Sequence, residues 1–163
     1  MALEMNLPDL KMENILYDEK GTMKITDFGL SAILDEDAGY LESRIRTPGN
    51  VGHMSPEVIQ RRRFDEKADV YSLAVLLWEI MKGCEWESEV VEQLRQMRIQ
   101  LVGSLRDIVK RAVCSRDLRP SLLKVTWPES LKNLLRRMWA LDPVERPSLS
   151  EVLATHYDEV KRD

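Results

Sequence analysis

The residues able to do chemistry lie on two short loops. Asn14 follows Asp9 by five residues with Lys11 between them, and Asp27-Phe28-Gly29 begins thirteen residues after Asn14. The intervening Asn14–Tyr17 and Met23–Thr26 are apolar-rich and are joined by Asp18-Glu19-Lys20-Gly21. That turn signal between two apolar runs predicts a β-hairpin, which returns Asp27 to the neighbourhood of Asn14. An amide oxygen and a carboxylate converging there are hard donors suited to Mg²⁺, with phosphate oxygens and water completing the octahedron. Asp9 and Lys11 then fall on one side of the first loop. A carboxylate there can accept a hydroxyl proton, and an ammonium can neutralise charge on a phosphoryl group in transfer.

Asp9-Leu10-Lys11-Met12-Glu13-Asn14 and Asp27-Phe28-Gly29, at these two spacings, resemble the catalytic loop and metal-binding motif of the protein kinase family. The resemblance continues at Gly49-Asn50-Val51-Gly52-His53-Met54-Ser55-Pro56-Glu57, which aligns without a gap to the end of that family's activation segment, and at Asp142-Pro143-Val144-Glu145-Arg146-Pro147. It implies an α+β fold, mostly α, the large C-terminal lobe of a kinase with short β-hairpins. One partial domain then covers residues 1–163, with the catalytic loop at 7–16, the activation segment at 27–57 and a helical core at 64–157. By the same resemblance Asp9 would orient the substrate hydroxyl and Lys11 would stabilise the transferring phosphoryl. Asn14 and Asp27 would hold Mg²⁺, Leu16 would form the floor under the adenine of ATP, and Phe28, Gly29 and Asp69 would have structural roles. Lys11, Asn14 and Ser55-Pro56-Glu57 are similar to serine/threonine-type kinases. Asp69-Val70-Tyr71-Ser72 and Met138–Pro143 suggest the tyrosine-kinase-like branch.

Other stretches must position those loops. Leu30 to Ile59, polar and glycine-containing, reads as a surface loop of the kind that carries function. Within it Asn50 stands where the family has a threonine, Thr47 before Pro48 is a candidate phosphosite, and His53 reads as a packing residue rather than a ligand. Lys67 to Met81 is apolar on nearly every face, the pattern of a helix buried within a domain. Asp69 near its start either holds the catalytic loop, as the resemblance implies, or is a simple helix cap. Val90, Leu94, Met97, Leu101, Leu105, Ile108, Val109, Ala112 and Val113 keep three-to-four spacing, predicting one or two amphipathic helices. Thr126-Trp127-Pro128-Glu129 predicts a capping box opening a helix to about Ala140, and Ser148–Glu151 predicts another for a helix to about His156. A guanidinium fork suits a carboxylate and stays charged when buried, so Arg146 is expected to grip Glu57 through two bonds.

Composition bounds what else the chain can be. Its 163 residues suffice for one domain with a core. A net charge of −4 and pI near 5.4 give no electrostatic reason to expect nucleic acid or an anionic membrane as partner. Arg61-Arg62-Arg63 is followed by Asp65 and Glu66 and reads as a solvated helix end. Cys84 and Cys114 form no disulfide framework or metal motif and are expected to be buried or half-buried free thiols. The longest uncharged run in the apolar helix, Val70 to Trp78, is far short of the ~20 residues that span a bilayer, and a cytoplasmic protein is expected.

The resemblance implies a small lobe ahead of the catalytic loop, bearing a glycine-rich loop and a lysine that clamp ATP. Here six residues precede Leu7, and Leu7-Pro8 stands where the family has His-Arg. Proline supplies no cation to grip a phosphate on Thr47. The isolated chain is therefore expected to transfer phosphate weakly or not at all until a small lobe, or a partner protein, covers the exposed face. Its partners would then be that lobe and a protein substrate. The alternative is a catalytically inactive relic that acts as a protein-binding module.

Overall fold

A computed structural model describes residues 5–6, 10–26, 32–33, 41–42, 50–123 and 125–160, with backbone alone for 5–6, 32–33, 41–42 and 155–160. The strands are short and pair two by two: β1 (Met5–Asn6) with β4 (Ala32–Ile33), β2 (Ile15–Tyr17) with β3 (Met23–Ile25), and β5 (Leu41–Glu42) with β6 (Arg63–Phe64), all antiparallel. The helices are α1 (Pro56–Ile59), α2 (Lys67–Lys82), α3 (Trp86–Gln96), α4 (Leu105–Ser115), α5 (Glu129–Met138) and α6 (Leu149–Val160). The fold is thus mostly helical with small two-stranded sheets, as expected.

Helix α2 is the axis of the core. Val70, Tyr71, Ala74, Val75 and Trp78 have no exposed surface and pack with Trp86 and Val90 of α3, Val109 and Val113 of α4, and Leu135 and Met138 of α5. Burying a side chain of this size contributes ~1.5–3 kcal/mol, so these contacts set where every loop is anchored. Trp78 and Trp86 meet edge to face with centroids 6.4 Å apart, and Trp78 Nε1–H donates to the Ser121 carbonyl. The helix stops at Gly83, whose φ of 72° is the left-handed conformation glycine adopts without a Cβ penalty.

Several expectations need correction. Residues Val51 to Val58 are buried rather than forming a surface loop, because Val51, Met54 and Val58 are apolar and His53 and Glu57 between them find partners inside. Thr126 does not cap α5. Pro128 occupies the N-cap position without a side-chain bond, and Glu129 turns instead to Arg136 and Lys132. Helix α6 runs to Val160, four residues past the predicted end, although Ser148 and Glu151 do make the reciprocal box. Met97 and Leu105 are exposed at the ends of α3 and α4, where helical spacing no longer points at the core. Cys84 is exposed just after the Gly83 stop, whereas Cys114 is half-buried. Both thiols are held above their usual pKa, first of all by burial.

Candidate functional site

The first loop is shaped by a single turn of 3-10 helix, Met12–Asn14, entered from an extended Lys11 and closed by the Asn14 N–H donating to the Lys11 carbonyl. Lys11 is half-buried and Asn14 is only 6% exposed. The hairpin then leaves and returns in strict register, with Ile15 opposite Ile25, Leu16 opposite Lys24 and Tyr17 opposite Met23. Its turn is built by Asp18, whose carboxylate accepts from the backbone of Lys20 and Thr22 and pairs with Lys24. The Thr22 amide, then Lys24, hold that carboxyl below its usual pKa. At the open end the Thr26 N–H donates to the Asn14 carbonyl at 2.8 Å. The predicted hairpin is therefore present, and it ties the residue before Asp27 to Asn14. Asp9, Asp27, Phe28, Gly29 and Thr47 themselves lie outside the described residues, as does the side chain of His156.

The hairpin surface is apolar and open. Leu16, Tyr17 and Met23 are more than half exposed, with Leu16 at 54%. A separate concavity of about 420 Å³, lined by Asp117, Arg119, Trp139 and Leu141 among others, contains no residue of the first loop or of the hairpin.

Below the loops, Val51–Val58 is seated on α2 through polar groups. Ser72 Oγ–H donates to the His53 carbonyl at 2.8 Å, and His53 Nε2–H donates to Glu79 Oε2 at 2.8 Å. The other Glu79 oxygen accepts the Trp86 N–H at 2.8 Å, so this buried carboxylate joins the segment to the start of α3. From α3, Glu87 reaches the Gly52 N–H. Asn50 turns its side-chain oxygen back onto the same Gly52 N–H, making a local turn. Neither Ser72 nor Glu79 was among the residues expected to matter. A signal existed: the polar residues Asp69, Ser72 and Glu79 of an otherwise apolar helix, three and seven apart, share one face.

Glu57 and Arg146 meet as the sequence predicts. The guanidinium forks onto the carboxylate at 2.6 and 2.9 Å. Its remaining N–H groups donate to the carbonyls of Ala140, Lys67 and Leu141, and it lies over the Tyr71 ring at 5.2 Å. Asp69 is buried in the first turn of α2, and the backbone N–H of Lys67 just before it donates to Asp65.

Residues 6–157 match the sequence model of the protein kinase domain. The chain belongs to the protein kinase family. It is 34% identical over 148 residues to dual specificity protein kinase shkA of Dictyostelium discoideum, covering 90% of this chain and 25% of the relative. Dual specificity protein kinase shkE of the same organism is 35% identical over 144 residues, 88% of this chain and 18% of the relative. Serine/threonine-protein kinase STY17 of Arabidopsis thaliana is 32% identical over 145 residues, 89% of this chain and 22% of the relative. The kinase chain thus spans a quarter or less of the length of these curated relatives. Among its described residues no helix is long and apolar enough to cross a membrane.

Proposed function

We propose that this chain is the catalytic-loop half of a protein serine/threonine kinase, which moves the γ-phosphate of ATP to serine or threonine hydroxyls of a protein substrate. The supporting observation is the 2.8 Å bond from the Thr26 N–H to the Asn14 carbonyl. It joins the ends of the two motif-bearing loops, and Asp27 is one Cα–Cα step of ~3.8 Å beyond Thr26. An amide oxygen and a carboxylate fit the donor preference of Mg²⁺, and Asn14 and Asp27 would hold it. When bound with ATP, the ion neutralises charge on the phosphate oxygens. Asp9 orients and deprotonates the attacking hydroxyl, and Lys11 offsets charge on the phosphoryl oxygens. Glu57, Asp69 and Arg146 would fix the segment beneath, and Phe28 and Gly29 would have structural roles in the second loop. Leu16 would form the floor under the adenine. That surface is open, whereas ligand pockets bury ~70–90% of their ligand, so a second wall is needed from a small lobe or a partner.

The test is Mg²⁺-dependent transfer of labelled phosphate from ATP to a generic protein substrate, by the chain alone and by the chain fused behind a kinase small lobe, followed by phosphoamino-acid analysis. The reading expects transfer to serine and threonine by the fusion, reduced roughly a hundredfold or more by Asp27→Asn or Asp9→Asn. A well-folded fusion that binds protein partners but transfers no phosphate would leave the binding-module alternative standing.

A further inference from the structure

The corner where α3 gives way to α4 is basic. From residue 95 to residue 116 the charged side chains are Arg95, Arg98, Arg106, Lys110, Arg111 and Arg116 against Asp107 alone, in a chain whose net charge is −4. Met97, Val102 and Leu105 stand about half exposed beside them. Between the helices opens a cavity of about 60 Å³, lined by Leu94, Ile99, Leu101 and Ile108 and by the polar Gln100, Arg111 and Arg116. Arg111 is fixed in place by donating to the Val102 carbonyl.

Size and chemistry define the occupant. Cofactor pockets run to ~300–1,000 Å³, so this cavity is too small for one. The end of one aliphatic side chain fits it. Two guanidinium groups at the rim select for carboxylates flanking that side chain, since arginine clusters read acidic motifs through charge-assisted bonds. A flat anionic membrane suits the corner less well. It cannot fill a concavity, and it would face the acidic surplus of the rest of the chain within a few Debye lengths of ~8–10 Å. We propose that the α3–α4 corner is a docking site for an acidic segment of a partner protein, seating one aliphatic side chain in the cavity with its carboxylates on Arg111 and Arg116.

The experiment measures fluorescence anisotropy of the full 163-residue chain with labelled nonapeptides that carry a central leucine among glutamates and aspartates. Binding should require both features, weaken with added salt, and fall roughly tenfold when the central leucine becomes serine or when Arg116 is replaced in Arg116→Glu. Arg116→Gln, which keeps the size of the rim without its charge, should fall by a smaller factor and serves if the glutamate variant does not fold. Circular dichroism melts of the variants should match the parent. Peptide binding indifferent to Arg116→Glu would overturn the proposal. So would binding of phosphatidylserine vesicles with none of the peptide, or a chain dimer in sedimentation that Arg116→Glu dissolves.

Discussion

Breaking the Glu57–Arg146 pair is expected to be among the most damaging single changes available in this kinase domain. The side chains are 8% and 0% exposed, and all five guanidinium N–H groups are engaged, two on Glu57 and three on the carbonyls of Ala140, Lys67 and Leu141. Glu57→Gln leaves a buried cation against a neutral amide and should cost ~3–5 kcal/mol. Arg146→Met also strips three carbonyls of their donor, each worth ~1 kcal/mol, and should cost more. The double variant leaves no uncompensated charge, so its cost should fall ~1–3 kcal/mol short of the sum. Domains of this size are stable by only ~5–15 kcal/mol, so either single change consumes a large share. Urea unfolding followed by circular dichroism at constant m-value measures all three differences. Additive losses, or a Glu57→Gln cost below ~1 kcal/mol, would show that the pair is not the clamp its geometry describes.

Glu79→Ala should cost ~2–3 kcal/mol in the same assay because the buried His53 and Trp86 donors both lose their acceptor, whereas His53→Phe, which removes one bond, should cost less. Burial pushes the Tyr71 phenol from 10.0 up to about 12. Its folded pKa lies above the unfolded one, so this contribution is complete below pH 10.0 and fades towards about 12; Tyr71→Phe should abolish the late phenolate step seen by ultraviolet titration. The Asp107 carboxyl, lowered first by the Ser104 hydroxyl, and the Glu151 carboxyl, lowered first by the Ser148 backbone N–H, should titrate below 3.8 and 4.5 in carbon NMR; Asp107 should return towards 3.8 in Ser104→Ala, whereas Glu151 should stay lowered in Ser148→Ala, which keeps that N–H. Both are depressed carboxylates, so the capping they provide is present above those values and lost as pH falls through the lowered ones. Phosphate placed on Thr47 should not raise activity over Thr47→Ala in the transfer assay, since Pro8 offers it no cation.

What could be seen in the sequence followed how local each feature is. The hairpin was legible because Asp18 and Gly21 encode the turn within a few residues, and its register follows from the turn. Helix α2 was legible from its unbroken apolar run. Glu57 and Arg146, 89 residues apart, were legible only through the family motifs that contain them. Burial of Val51–Val58 was not legible, because a polar, glycine-containing stretch looks solvated until Ser72, Glu79 and Arg146 are brought beneath it by the tertiary fold. The failure at Thr126 has a similar origin: Glu129 had nearby arginine and lysine partners, and these won over the backbone. Asp9 and Asp27, beyond the described residues, rest on motif spacing and on the tie between Thr26 and Asn14.

The same 89-residue separation has a consequence during synthesis. At ~5–20 residues per second, Glu57 is made roughly 4–18 s before its guanidinium. The hairpin, by contrast, closes in ~1–10 μs. For those seconds the carboxylate has no cation, and for part of them α2 exists without α5 to cover it. The half-made chain is thus exposed to chaperones, and at high expression to an Arg146 offered by a neighbouring copy, so the clamp that secures one domain is also a route to exchange between two.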